Sequence, residues 1–218
     1  VGYVDFLKVS KFGHYTENFT PPNESFVEPT NNTDYPSISL NYNGNISDAT
    51  NQSEVFVREG TSNGNVIKFG SSSLYMGVSP TSTLGIETDQ SYLFAFGRND
   101  FTVETWIYPT DLSVEQSIMD FREGNVNSTD RGTYFHLDIS SDGEIRYKAG
   151  SNILSNAGSG TLTENNWQHV AVSRFGNISR VFVNGVQVGD DIIDNNNYLF
   201  SRFRIGPSTD PSKNYRGY

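Results

Sequence analysis

The sequence predicts an all-β fold, an antiparallel two-sheet sandwich, on three observations. Asn, Ser, Thr, Gly and the aromatic residues are abundant while Met is scarce, with 15 Phe and 12 Tyr against 2 Met, the usage of strands and turns. Short runs with period-2 apolar alternation recur every dozen residues or so, the spacing of a sandwich. Asp-Gly and Asn-Gly pairs fall in the gaps between those runs, where a tight hairpin needs positive φ. No stretch sustains a helical apolar period, so no helix is expected beyond a turn near residues 163–166.

The elements follow in chain order. Residues 2–10 alternate as a strand, with Val4, either Phe6 or Leu7, and Val9 as its apolar positions. Residues 10–33 contain Pro21, Pro22 and Pro29 and show little periodicity, which reads as an extended connector. Residues 41–53 are rich in Asn, Ser, Thr and Asp with almost no apolar anchor, and read as a long loop. Strands are expected at residues 66–69, 73–78, 101–108, 116–121, 133–139, 144–149, 169–175, 179–183, 186–188 and 202–205. Hairpins are expected at Ser141-Asp142-Gly143, at Phe175-Gly176-Asn177 and at Asn184-Gly185. Three segments result: residues 1–12, a strand; residues 13–54, a connector; and residues 55–218, a compact domain.

Charge and composition exclude several classes. A net charge of −10 and a pI near 4.7 oppose nucleic-acid or anionic-membrane partners, which need a basic surface. The chain has no Cys, so it offers no disulfide framework, zinc–thiolate cluster or thiol nucleophile. No apolar run approaches the roughly twenty residues of a membrane helix, and no charged-then-apolar signal segment follows Val1. A start at Val1 reads as a position inside a longer product or after processing, and an extracellular or virion location is expected.

Four segments carry a family resemblance. They are FTVETWIYP at residues 101–109, GTYFHLDISSDGEIRYKAG at 132–150, NNWQHVAVSRFGNISRVFVNGVQV at 165–188 and FRIGPS at 203–208. In type and order they resemble successive strands of a laminin-G-like domain of the concanavalin A-like superfamily, which implies a jelly-roll sandwich. The opening GYVDFLKVSKFGHYTENFTPP at residues 2–22 resembles the closing strand and exit linker of such a domain in tandem copies from phage and environmental surface proteins. A Gly-Tyr pair occurs near both ends, at Gly2-Tyr3 and Gly217-Tyr218, but only the first continues into a strand. This suggests one period of an array whose domain lacks its final strand.

That arithmetic gives the principal functional expectation. Gly2, Tyr3, Val4, Asp5, Phe6, Leu7 and Val9 have the pattern to fill an open sheet edge. The strand could come from the same molecule, from the next repeat of one polypeptide, or from a neighbouring subunit. Donation between copies would build a head-to-tail fibre of non-catalytic structural repeats. The alternative is a lectin-like adhesion module that binds glycans.

Enzymatic readings find little support. A retaining glycosidase needs two carboxylates flanking the scissile bond. Asp138, Asp142 and Glu144 are interrupted by the Asp142-Gly143 turn, and Glu104 lacks an acidic partner at even spacing. His14, His136 and His169 are scattered, and His169 reads as a hydrogen-bonded histidine at the core's edge. The superfamily resemblance implies a possible calcium ion on rim loops, for which Asp190, Asp191, Asp194 with Asn195, and Asp210 are candidates; a solvated acidic loop is the competing reading. Sugar binding needs an exposed aromatic ring beside polar loop residues, and Tyr92, Tyr134, Tyr198 and Tyr215 could each be that or simple filling of the sandwich. Trp167 stands where a loop enters a strand and could plug the sandwich end. Glycosylation sequons occur at Asn18, Asn23, Asn31, Asn45, Asn51, Asn127 and Asn177, the first five in or beside the connector.

Overall fold

The computed structural model describes residues 2–24, 38–42, 46–48, 50, 55–59, 61–76, 85–88, 94–121, 133–150, 152–155, 158, 161–199 and 204–206. These residues form sixteen strands: β1 (Gly2–Ser10), β2 (Ile38–Asn41), β3 (Ser47–Asp48), β4 (Val55–Glu59), β5 (Thr61–Asn63), β6 (Ser73–Met76), β7 (Gly85–Thr88), β8 (Phe101–Pro109), β9 (Gln116–Asp120), β10 (Phe135–Ile139), β11 (Ile145–Ala149), β12 (Asn152–Ile153), β13 (Gln168–Phe175), β14 (Ile178–Val183), β15 (Val186–Ile193) and β16 (Arg204–Ile205). They make two antiparallel sheets packed face to face as a jelly-roll sandwich. Sheet A runs β15-β14-β13-β8-β1-β2-β3, with β6 beside the start of β1 and β5 beyond it; sheet B runs β12-β11-β10-β9-β16-β7-β4. No helix among the described residues is long and apolar enough to cross a membrane.

Alternation decides which residues face the core. From sheet A come Val4, Leu7, Val9, Val103, Ile107, Val170, Val172 and Val181, and from sheet B Phe135, Leu137, Ile139, Ile145 and Tyr147, all fully buried. The hairpin chemistry holds where the sequence placed it. Asn184 and Gly185 both have positive φ (51° and 77°) between β14 and β15, the primed turn that matches strand twist. Gly143 (φ 76°) and Gly176 (φ 63°) serve the β10–β11 and β13–β14 turns.

The first strand is where sequence and structure differ most. Gly2–Ser10 does not stand apart from the domain that follows: it lies inside the chain's own sheet A, hydrogen-bonded to β8 on one side and to β2 and β6 on the other. Of the three sources the sequence left open for that strand, the chain itself supplies it here. A β-bulge between Asp5 and Leu7 explains the ambiguous phase of Val4, Phe6 or Leu7, and Val9. Phe6 is the extra residue, at φ 49°, so Val4, Leu7 and Val9 all reach the core despite uneven spacing.

The described residues of 13–54 are not an extended connector either: they contribute to the sheet. Ile38, Leu40 and Tyr42 are buried, and β2 and β3 extend the sheet beyond β1. Two polar residues of these strands are misleading because they are buried: Ser39 N–H donates to Asp48 Oδ1 at 3.0 Å, and Asp48 also accepts from Thr50. The compact domain therefore does not begin at residue 55. Residues 66–69, expected as a strand, form a loop, because the buried Asp5 carboxylate captures the Lys68 and Phe69 N–H groups (3.2 and 2.9 Å) that a ladder would have used.

Residues 11–20 leave β1 and cross the outer face of sheet A as a strap. His14 N–H donates to Thr102 Oγ1 (2.9 Å), Tyr15 N–H to Ser173 Oγ (3.1 Å), Phe19 N–H to the Gly185 carbonyl (2.9 Å), and Gln187 N–H to Asn18 Oδ1 (2.9 Å). Two glycines permit this close approach. A Cβ on Gly13 would overlap the Arg174 carbonyl oxygen, and one on Gly185 the Phe19 carbonyl oxygen.

Candidate functional site

The sequence-predicted residues do not converge. Asp190 and Asp191 are exposed on β15, and Asp191 is bound by Arg180 (2.6 Å) and Gln187 (3.0 Å). Asp194 is buried in the sandwich end, where it accepts from Tyr147 OH (2.7 Å), Ser179 Oγ (2.8 Å), Tyr198 OH (3.1 Å) and the Asn196 side chain (2.7 Å), with Arg174 at 3.6 Å. Burial pushes its carboxyl upward, but the hydrogen bonds from Tyr147, Asn196 and Ser179 outweigh it and hold the group below its usual range. Those donors use the lone pairs a cation would need. Among the described residues no group of three or more His, Asp or Glu is placed to hold a metal ion.

Tyr134 and Tyr198 are buried. Asn18, Asn23 and Asn177 are exposed, the last at the β13–β14 turn. Asp210, Tyr92, Tyr215, Asn31, Asn45, Asn51 and Asn127 lie outside the described residues.

Two of the carboxylates considered for catalysis, Asp138 and Glu104, are committed elsewhere. Asp138 receives a bidentate bond from Arg146 (2.7 and 3.0 Å) and an ion pair from Lys148. Glu104, on the outer face of β8, is buried beneath the strap. Its Oε2 accepts from Tyr15 OH (2.8 Å) and contacts His169 Nε2 (3.1 Å), and Lys8 stands 3.5 Å from its Oε1. Burial alone would raise this carboxyl, yet the His169 bond, the Lys8 charge and the Tyr15 bond bring it down to about 2. His169 thus has an acidic partner that sequence order hid, because Glu104 lies two strand positions away in the fold yet 65 residues away in the chain. Tyr15 and Phe19, stacked at 3.5 Å, close over this cluster together with Phe182.

Beyond the strap the same face is paved with aromatic rings that the sequence did not show as a group. Trp167, Tyr108, Tyr3 and Tyr75 form a row across β8, β1 and β6, with centroid separations of 5.5, 5.6 and 5.4 Å. Register produces it: Tyr3 lies opposite Tyr108 on one side and Tyr75 on the other. Trp167 does not plug the sandwich; with Tyr108 and Tyr75 it is half-buried, offering ring surface to solvent. Successive rings are inclined by 63°, 79° and 39°, so the row is a twisted run of edges and faces rather than a flat plate. The available signal was the outer face of β8, where Trp106 and Tyr108 follow Glu104 at period two.

Trp106 adjoins the row. Lys68 Nζ lies 3.8 Å from its ring centroid, a cation–π contact, and Phe69 and His169 meet it edge-on at 6.0 and 5.4 Å. Asp5, by holding the backbone of Lys68 and Phe69, places both residues beside the indole. Burial raises Asp5 to about 6, against the lowering effect of the bonds from Phe69, Lys68 and Phe6.

The family described as the concanavalin A-like lectin/glucanases superfamily, of laminin-G type, matches residues 81–218. The chain belongs to this superfamily. A search of curated proteins returns no match. Among solved structures, this concanavalin A-like chain is similar to domain 4 of AbnA, a GH43 extracellular arabinanase from Geobacillus stearothermophilus, in complex with arabinotriose. The TM-score is 0.52 at 17% identity, over 77% of this chain and 80% of that one. It is also similar to an HCR/D tryptophan-to-alanine mutant, with TM-score 0.50 and 19% identity over 75% of this chain and 40% of the other. At such identities the likeness concerns the concanavalin A-like fold.

Proposed function

We propose that this chain is a non-catalytic, extracellular carbohydrate-binding module that takes a single neutral glycan chain along the row Trp167, Tyr108, Tyr3 and Tyr75. The row carries the reading. Aromatic rings at spacings near 5.5 Å offer apolar surface for the C–H faces of consecutive sugar rings, with Trp167, Tyr108 and Tyr75 half-buried and Tyr3 packed between the two tyrosines. Their mutual inclination fits a twisted soluble chain better than a flat crystalline surface. The net charge of −10 disfavours polyanionic glycans. The arabinanase domain, which has this fold and was solved with arabinotriose, supports the same reading.

Catalysis is disfavoured because the carboxylates described on this face are buried and engaged: Glu104 lies under the strap with Oε2 shared by Tyr15 and His169, and Asp5 accepts from the Phe6, Lys68 and Phe69 N–H groups. The fibre reading is weakened because Gly2–Ser10 fills its edge within the chain. Titration calorimetry with arabinotriose, xylotriose and cellotriose tests the reading. Wild type binds at least one of them, and Tyr108→Ala weakens that binding at least about tenfold, or about 1.4 kcal/mol. No binding to any of the three overturns it.

A further inference from the structure

We infer that the aromatic face also holds a directional polar contact, in which one sugar hydroxyl accepts a hydrogen bond from Trp106 Nε1 and donates one to His169 Nδ1. This rests on the carbohydrate-binding reading and supplies what a row of rings lacks, a fixed point that sets the register of the bound chain.

The two residues are neighbours by construction. Trp106 and His169 stand opposite each other on β8 and β13, both pointing to the outer face, with rings edge to face at 5.4 Å. Both atoms are buried and neither has a hydrogen-bond partner. An indole N–H can only donate. His169 Nε2 lies 3.1 Å from Glu104 Oε2, and a carboxylate can only accept, so Nε2 carries the hydrogen. In the neutral imidazole the other nitrogen, Nδ1, is then a bare acceptor. An empty donor and an empty acceptor on paired residues call for a group that does both, and a hydroxyl is the simplest such group.

The setting favours a sugar's hydroxyl. Trp106 lies two residues from Tyr108 on the same face of β8, so a chain stacked on the row brings its substituents to the indole edge. Access is governed by Lys68, whose backbone is tied to Asp5 while its flexible stem, half-exposed, lies over the indole. Swinging that stem aside opens the Trp106 edge without moving the strand. On the far side Phe19, edge-on to His169 at 5.7 Å, closes the site.

The chain has 2 Trp, so its indole N–H spectrum has one resonance for the row, from Trp167, and one for this contact, from Trp106. The probes are arabinotriose, xylotriose and cellotriose, added to the 15N-labelled full chain, with Trp106→Phe assigning the peaks. The expected result is that both resonances move and saturate at the same concentration. Trp106→Phe, which keeps an aromatic ring but loses the N–H, should bind about three- to tenfold more weakly. Movement of Trp167 alone, with Trp106→Phe binding as wild type, overturns this contact and leaves the row standing. No movement with any of the three sugars overturns both.

Discussion

The Phe19 carbonyl oxygen occupies the place where any residue but glycine at position 185 would put its Cβ. The relation is reciprocal, since the Gly185 carbonyl accepts the Phe19 N–H at 2.9 Å. A turn residue of the β14–β15 hairpin thereby seats a strap that begins at the far end of the sequence. Gly185→Ala is expected to unseat it and to strain a backbone held at φ 77°. The cost should be about 1–3 kcal/mol, read as a fall in Tm of several degrees by thermal unfolding.

Glu104 makes stability depend on acid. Its folded carboxyl titrates at about 2, below the unstructured value of 4.5. The group therefore contributes stability that is full above about 4.5 and is lost as pH falls toward 2. Urea unfolding of wild type and Glu104→Gln should differ by roughly 3 kcal/mol at pH 7 and converge near pH 2. A difference independent of pH would contradict the assignment.

Asp5 has the opposite sign. Its folded carboxyl is raised to about 6 from 3.8, so the native state holds the proton more tightly than the unfolded chain. Its stabilising effect is full below about 3.8 and is lost as pH rises through 6. Relative to Asp5→Asn, wild type should lose roughly 3 kcal/mol across that window, measured by denaturant titration at half-unit pH steps.

The placement of Gly2–Ser10 predicts behaviour on dilution. A strand supplied by its own chain makes folding unimolecular, so Tm should not change with protein concentration, whereas a strand donated between copies would make it rise with concentration. Leu7→Ala, at a fully buried position between β8 and β2, should cost about 2–5 kcal/mol, read by urea unfolding.

Legibility in the sequence followed the strength of the local signal. β8, β13 and β14 combine long alternating runs with turn residues whose conformational demand is met only by Gly or Asn, and they lie where the sequence placed them. β2 and β3 were hidden because Ser39 and Asp48 look like loop residues until their mutual hydrogen bond is seen. β1 was recognised as a strand, but its place depended on which edge was open, a tertiary fact. The aromatic row escaped notice for a related reason. Tyr3, Tyr75 and Tyr108 belong to three strands, and only antiparallel register brings them side by side. Tyr134 and Tyr198, for which the sequence left sugar binding and core filling equally open, fill the core.

The position of β1 also orders events in time. Gly2 pairs with Pro109 and Ser10 with Thr102, so a segment made early has no ladder partner in β8 until about a hundred more residues exist. Its strap then docks on β13 and on the turn at Gly185, which are later still. Until then that strand has only β2 and β6 to pair with, and its β8 side stays open to wrong partners in the nascent chain. The two halves of sheet A are therefore joined along the β1–β8 seam, between segments far apart in sequence, and shielding of residues 2–10 until β8 exists would limit mispairing.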